Sequence, residues 1–166
     1  MTLAILILSL LTVQRLAELG LAKRNTARLL ARGGIEKSPG HYAFIVAMHF
    51  AWLAILWLNV RDSYINFWWL SLFIVLQFLR IWVIATLGDR WTTRIIIVPG
   101  EARIQRGPYR YLSHPNYVIV AAEIIALPMA LGLPWIALVF TVLNAAILWV
   151  RIRAESKALA EADSPH

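Results

Sequence analysis

Hydrophobic residues in this chain occur in long, unbroken runs rather than in the alternating pattern of half-buried strands. The runs are Leu3–Leu19, Tyr42–Val60, Tyr64–Leu87 and Tyr117–Val150. About 17–25 apolar residues suffice for a helix to cross a bilayer. The last run is too long for one crossing, and Pro128, Gly132 and Pro134 interrupt it. We therefore divide it into two antiparallel helices, Tyr117–Leu131 and Pro134–Val150.

The pattern predicts an all-α integral membrane protein with about five transmembrane helices. We expect one membrane domain over residues 1–166, with three transmembrane helices in residues 1–87. Residues 88–166 then hold a long cytoplasmic loop, a helical hairpin and a C-terminal helical extension. Of the 166 residues, 60% are hydrophobic. A soluble domain of this size could not bury so much apolar surface. The first run has no basic start or cleavage site, so we do not interpret it as a signal peptide. The chain has no cysteine, which excludes disulfides and thiol catalysis.

The basic residues predict an orientation. They lie after helix 1 (Lys23, Arg24, Arg28, Arg32, Lys37), after helix 3 (Arg90, Arg94, Arg103, Arg106, Arg110) and after helix 5 (Arg151, Arg153, Lys157). The helix 2–3 connection has only Arg61 beside Asp62. By the positive-inside rule the N-terminus is outside and the C-terminus cytoplasmic, in a bacterial inner membrane. The +7 net charge fits this topology and contact with membrane lipid. No motif predicts a nucleic-acid or metal site.

Polar residues at membrane depth are costly and need partners or a water-filled cavity. Four predicted helices carry them at similar depth, as His49, Gln77 with Arg80, Glu123 and Asn144. One interpretation is structural, with Arg80 paired to Glu123. The other is functional, with the layer lining a cavity where Glu123, Arg80 or His49 meets a polar substrate group.

Two further helical groups are notable. Gln14, Arg15 and Glu18 lie near the predicted cytoplasmic end of helix 1, and we interpret them as a snorkelling pair at the interface. On helix 5, Asn144, Arg151 and Glu155 follow the spacing i, i+7, i+11, which places them on one helix face.

The segment from Gly88 to Tyr117 is too long for a plain connection, which favours a functional loop. Arg94–Val98 is rich in β-branched residues and predicts a short strand, ended by a turn at Pro99 and Gly100. Pro115 suits the first turn of helix 4. His114, Asn116 and three tyrosines, at 109, 111 and 117, gather at that helix start, where free N–H groups suit a carboxylate. Alone, His114 is more typical of a capping or interfacial residue, and tyrosines at a membrane boundary are usually interfacial anchors.

The segment Gly107-Pro-Tyr-Arg-Tyr-Leu-Ser-His-Pro-Asn-Tyr117, with Arg151-Ile-Arg-Ala-Glu155 after a helical hairpin, resembles the isoprenylcysteine carboxyl methyltransferase family. Gln14–Leu19, Ala22–Asn25, Gly88–Arg94 and Val98–Glu101 are more similar to its short bacterial branch, associated with O-methylation of alkylpyrones. The sequence departs from the family pattern at Ser156, where a second glutamate is usual.

The resemblance implies an S-adenosylmethionine-dependent methyltransferase without a Rossmann domain, and the sequence contains no glycine-rich dinucleotide loop. Its implied cofactor-binding residues are Tyr109, Tyr111, His114, Pro115, Asn116, Tyr117 and Glu155. Arg151 is implied to close the site or to orient the substrate oxygen, and His49 and Asn144 are candidate substrate contacts. An enol or carboxylic acid is largely ionised near neutral pH, so positioning could supply most of the catalysis.

Other functions remain open at this point. The acceptor could instead be a prenylcysteine-type carboxylate or a phospholipid amine. The membrane sterol reductases share a similar C-terminal motif and use NADPH, although this chain is short for that class. Finally, intramembrane charges also suit a small transporter or a lipid-binding protein.

Overall fold

Five helices and a small sheet make up the computed structural model, which describes residues 2–37, 40, 42–60, 64–102 and 104–163. The helices are α1 (Thr2–Ala31), α2 (Tyr42–Asn59), α3 (Phe67–Leu87), α4 (Pro115–Ala130) and α5 (Pro134–Asp163). Strands β1 (Ile35–Lys37) and β2 (Ile95–Ile97) pair antiparallel, with Ile35 opposite Ile97. The predicted all-α membrane architecture is confirmed. Arg61, Asp62 and Arg103, used in the orientation argument, lie outside the described residues.

Four of the helices, α1, α2, α3 and α5, are long and apolar enough to cross a membrane. Helix α4, with 16 residues, is shorter than a typical span of about 20. It packs between α3 and α5, and α5 also packs on α2. Lipid offers no hydrogen-bond partner to the backbone. In a helix, the backbone N–H and C=O groups of these segments bind one another instead. The fully buried Leu56, Val83, Ile124 and Leu127 mark the centre of the bundle.

Helix α1 is longer than predicted. We expected it to end at Leu19, but it continues to Ala31. At about 1.5 Å per residue its 30 residues span roughly 45 Å, more than a bilayer core of about 30 Å. The apolar run ends where burial in lipid ends, whereas Ala, Leu, Lys and Arg continue to favour helix beyond it. Asn25 anchors the extension, because its Nδ2 donates to the carbonyl oxygens of Gly88 (3.1 Å) and Trp91 (2.8 Å).

The loop between α3 and α4 is ordered by several of its own residues. The predicted strand and the turn at Pro99–Gly100 are confirmed, with β2 spanning Ile95–Ile97. Its partner β1 was not predicted. Arg94 lies over the ring of Tyr42, 4.8 Å from the centroid, and its Nη1 donates to the Glu36 carboxylate at 2.9 Å. These contacts hold the loop against the starts of β1 and α2.

The opposite end of the bundle is closed by short connections. Helix α3 begins after Asn66, whose side chain accepts hydrogen bonds from the backbone N–H of Trp68 and Trp69. The predicted break between α4 and α5 is confirmed, with Gly132 at a φ of +70°. A Cβ there would also lie 2.3 Å from the Tyr64 ring, so the turn requires glycine. Pro134 then begins α5.

Candidate active site

A cavity of about 300 Å³ runs through one side of the bundle. All five helices and the α3–α4 loop contribute to its lining. Polar lining residues include Arg15, Glu18, His49, Arg80, Asn116, Tyr117, Asn144 and Arg151. Its apolar wall comes mainly from α1 and α2, with Leu16, Leu19, Val46, Phe50 and Leu53. Residues that the sequence analysis considered as separate groups therefore line the same cavity.

A group of buried charges lies along this cavity, and we call it the charge layer (Gln14, Arg15, Glu18, Gln77, Arg80 and Glu123). Arg80 donates through Nε and Nη2 to both oxygens of Glu18, each at 2.7 Å. Its Nη1 lies 3.2 Å from Oε2 of Glu123. The predicted Arg80–Glu123 pair is therefore confirmed. Arg15 completes the layer, donating to Glu18 at 2.8 Å and to Glu123 at 2.7 Å. Two positive and two negative charges cancel within a few ångströms.

The interpretation of the helix 1 group as an interfacial snorkelling pair was wrong. Arg15 and Glu18 join the same network as Arg80 and Glu123 instead of extending to the membrane surface. The cause is the length of α1, which continues 13 residues beyond Glu18 and so places the pair deeper than expected. Gln14 also takes part, through Gln77, which donates to Glu123 at 2.8 Å.

The second polar group, which we call the motif cluster, consists of His114, Tyr117, Arg151 and Glu155. Tyr117 is in the first turn of α4, and Arg151 and Glu155 lie one turn apart on α5. The Tyr117 hydroxyl accepts a hydrogen bond from Arg151 Nε at 2.7 Å and donates one to the Glu155 carboxylate. His114 stacks on the Tyr117 ring, with centroids 5.2 Å apart. The predicted common face of Asn144, Arg151 and Glu155 is consistent with the continuous α5 helix.

His114 occupies the N-cap position of α4, but its side chain makes no capping hydrogen bond. Its Nδ1 instead lies 3.6 Å from Oε2 of Glu155. The capping interpretation of this side chain is therefore wrong. The confirmed position of Pro115 in the first turn of the helix aims the neighbouring motif residues at α5.

The other predicted cofactor residues differ in placement. Asn116 lines the cavity, and its Oδ1 is buried without a hydrogen-bond partner among the described residues. Tyr109 is half-buried against the core, where burial, followed by the negative charge of Glu155, raises the pKa of its hydroxyl. The hydroxyl therefore remains a donor at neutral pH. Pro115 is buried beneath the cluster. Tyr111, by contrast, is 76% exposed and does not line the cavity.

Sequence reasoning missed the contribution of the Gly88–Arg94 segment to the cavity wall. Trp91, Thr92 and Thr93 all line the cavity. Thr92 is also 2.9 Å from the Thr26 hydroxyl on the α1 extension. The two short motifs Ala22–Asn25 and Gly88–Arg94, noted above only as similar to the bacterial branch, are adjacent in the fold. Their joint presence was the signal that could have predicted this contact.

Comparison with known proteins decides the family. The sequence model of the isoprenylcysteine carboxyl methyltransferase (ICMT) family matches residues 69–161, which include the motif cluster. The chain belongs to the ICMT family. It is also similar to the uncharacterized protein YpbQ of Bacillus subtilis, at 37% identity over 94% of this chain and 96% of that protein. An uncharacterized protein of Haemophilus influenzae is 29% identical over 87% of this chain and 88% of its own length. No solved structure matches the chain.

As a member of this family, the protein is an ICMT-like methyltransferase of the membrane. The match favours an enzyme over the small transporter that buried charges also suggested. It begins within α3, so Arg15, Glu18 and His49 lie before the matched region. The B. subtilis relative, in contrast, is similar over nearly the whole chain, including α1 and α2.

Proposed function

We propose that this ICMT-like enzyme transfers a methyl group from S-adenosylmethionine to an acidic oxygen of a lipophilic substrate, such as an alkylpyrone. The observation that carries the proposal is the continuity of the cavity. Its lining includes Asn116, Tyr117 and Arg151 from the family-matched region as well as an apolar wall from α1 and α2. A surface suited to a polar cofactor and a surface suited to an apolar chain therefore meet in a single space.

Residues on the polar side of the cavity, together with Glu155, which contacts the cavity-lining Tyr117, fit the cofactor chemically. S-adenosylmethionine supplies an electrophilic methyl group on a sulfonium and carries an amino group, a carboxylate and ribose hydroxyls. Asn116 Oδ1, buried without a partner among the described residues, suits one of those donors. Glu155 can accept from an ammonium or hydroxyl, and Arg151 can donate to a carboxylate. Tyr117 links these two side chains and fixes their separation.

The apolar side suits a lipid tail that enters from the membrane. Leu16, Val46 and Phe50 line the cavity and yet have 63%, 38% and 74% of their surfaces exposed on the outside of the bundle. Residues that face both the cavity and the exterior mark an opening between α1 and α2. A substrate tail passing there would remain in apolar surroundings throughout.

The distribution of charge supports a cytoplasmic location for the cofactor side, in a bacterial inner membrane. Arg28, Arg32 and Arg94 lie at the end of the bundle that carries the motif cluster. The opposite end exposes Tyr64, Trp68 and Trp135, as expected at a membrane interface. The N-terminus is then outside and the C-terminus cytoplasmic.

Product analysis tests this proposal. Purified enzyme in lipid nanodiscs is incubated with methyl-labelled S-adenosylmethionine and, separately, a 4-hydroxy-6-alkyl-2-pyrone, a farnesylcysteine or phosphatidylethanolamine. We expect label in a pyrone methyl ether. A methyl ester of farnesylcysteine would assign the alternative carboxyl chemistry, and an N-methylated lipid the amine chemistry. Absence of transfer to every acceptor by folded protein would contradict the proposed function.

A further inference from the structure

His49 has an arrangement that the family match does not explain. It lies on α2, before the matched region, and its ring lines the cavity. Its Nδ1 is 2.8 Å from the backbone carbonyl oxygen of Ile45. A carbonyl can only accept a hydrogen bond, so Nδ1 must carry a proton. In a neutral imidazole the other nitrogen, Nε2, then has a free lone pair.

The surroundings favour the neutral ring. Without a ligand in the cavity, an imidazolium would need a carboxylate of the protein as its partner. The nearest candidates on the cavity wall and behind it, Glu18 and Glu123, are already bound by the guanidinium groups of Arg15 and Arg80. The structure therefore provides positive charge near His49 and no free negative charge among the described residues.

Nε2 of His49 makes no hydrogen bond within the described part of the chain. The neighbouring polar groups of the cavity are mostly committed elsewhere. The Thr12 hydroxyl donates to the Leu8 carbonyl at 2.7 Å and accepts from Trp57 Nε1 at 3.1 Å. Tyr117 is bound to Arg151 and Glu155. His49 Nε2 is thus an acceptor on the cavity wall that is available to the donor group of a ligand.

We infer that His49 Nε2 is the general base for a ring hydroxyl of the acceptor, so that the enzyme takes weakly acidic enols and phenols in their un-ionised form. This inference rests on the proposed function and specifies its substrate class. A carboxylate would offer no proton to Nε2 and would face its lone pair, which disfavours that acceptor at this position.

In the chemical step, the O–H bond of the acceptor breaks and its proton moves to Nε2 of His49. The oxygen forms a bond to the methyl carbon of the sulfonium donor, the carbon–sulfur bond breaks, and its electron pair remains on sulfur in a thioether. The imidazolium then releases the proton to water. General-base help of this kind contributes about 10²–10⁴-fold to a rate.

The test begins with a probe that needs no cofactor. A 7-hydroxycoumarin carrying a decyl chain, whose phenol and phenolate absorb at different wavelengths, is titrated with pH while bound to wild-type enzyme and to His49→Gln. Glutamine keeps the size and polarity of the side chain but is not basic. Other titratable or charged groups on the cavity wall (Arg15, Glu18, Tyr42, Arg80, Tyr117 and Arg151) are unchanged in this variant.

We expect the phenolate fraction bound to wild type near neutral pH to exceed that bound to His49→Gln by roughly tenfold, because only histidine can take the proton. Nitrogen-15 NMR of the wild-type imidazole should show a protonated Nδ1 and an unprotonated Nε2. Equal phenolate fractions, a protonated Nε2, or a probe that does not bind would each overturn the inference.

Turnover separates this inference from the proposed function. Methyl transfer to the decyl 7-hydroxycoumarin, whose phenol is only partly ionised near neutral pH, should fall by about 10²-fold in His49→Gln, while affinity for S-adenosylhomocysteine is unchanged. If wild type transfers methyl groups and His49→Gln does so equally well, the inference alone fails. If wild type transfers none to any acceptor, the proposed function fails, whatever the result with the probe.

Discussion

The charge layer and the motif cluster use the same two residue types, arginine and glutamate, and differ in how completely these are paired. In the layer, each carboxylate is bound by two guanidinium groups from different helices. In the motif cluster, Arg151 and Glu155 meet only through the Tyr117 hydroxyl, which leaves further donor and acceptor sites on both side chains. Saturated charges tie helices together, and unsaturated ones can bind a ligand. The comparison favours a structural role for the layer and supports the proposal that the cluster binds the cofactor.

The largest expected effect is on folding, from breaking the charge layer. Arg80→Met leaves Glu18 and Glu123 buried with one guanidinium partner between them instead of two, and removing one member of a buried pair costs about 3–5 kcal/mol. We expect a loss of folded protein or a large fall in the thermal midpoint in detergent. Arg153→Met is the matched control, because Arg153 is exposed and lies over the Trp149 ring outside the charge layer. Equal stability of the two variants would mean that the layer is not structural.

A second prediction concerns the motif cluster. Arg151→Gln and Glu155→Gln should each reduce methyl transfer by roughly 10- to 100-fold, since hydrogen bonds to charged groups are worth about 1.5–3 kcal/mol. The thermal midpoint should change little, because neither side chain ties several helices together as Arg80 does. Turnover at saturating acceptor, with the midpoint measured on the same samples, checks both statements. Unchanged turnover in both variants would break the assignment of catalysis to this face of α5.

Tyr117→Phe should have a smaller effect. It removes the hydroxyl that links Arg151 to Glu155 but keeps the ring on which His114 stacks. We expect about tenfold weaker binding of S-adenosylhomocysteine, the value of one hydrogen bond of about 1–1.5 kcal/mol. Calorimetric titration measures it. Wild-type affinity would show that the link does not organise the cofactor side.

The smallest predicted effect lies at the opening between α1 and α2. Val46→Trp narrows the opening and should raise the KM for a long-chain acceptor several-fold, on the order of 1 kcal/mol of lost apolar contact. Cofactor affinity should stay the same. Val142→Trp is the matched control, as Val142 is exposed on α5 and does not line the cavity. Equal KM values for the two variants would argue against access by this route.

Much of this architecture was predictable from hydropathy, because an apolar run long enough for a bilayer has few alternatives to helix. The Arg80–Glu123 pair followed from the depths of single polar residues. The depth in the membrane predicted for Arg15 and Glu18 was wrong, because the end of the apolar run does not mark the end of α1. The pairing of Ile35 with Ile97 is long-range and leaves no local pattern. The exposure of Tyr111 depends on the turn at Gly107–Arg110, which the motif spacing does not reveal.

The most direct test of the central comparison is calorimetric binding of S-adenosylmethionine and S-adenosylhomocysteine to detergent-purified enzyme. His114→Ala, which removes the ring stacked on Tyr117, is compared with Tyr111→Ala, a change at an exposed side chain of the same loop. We predict micromolar binding by wild type and Tyr111→Ala and its loss in His114→Ala. Absence of binding by folded wild type, or equal binding by all three proteins, would contradict the placement of the cofactor at the motif cluster.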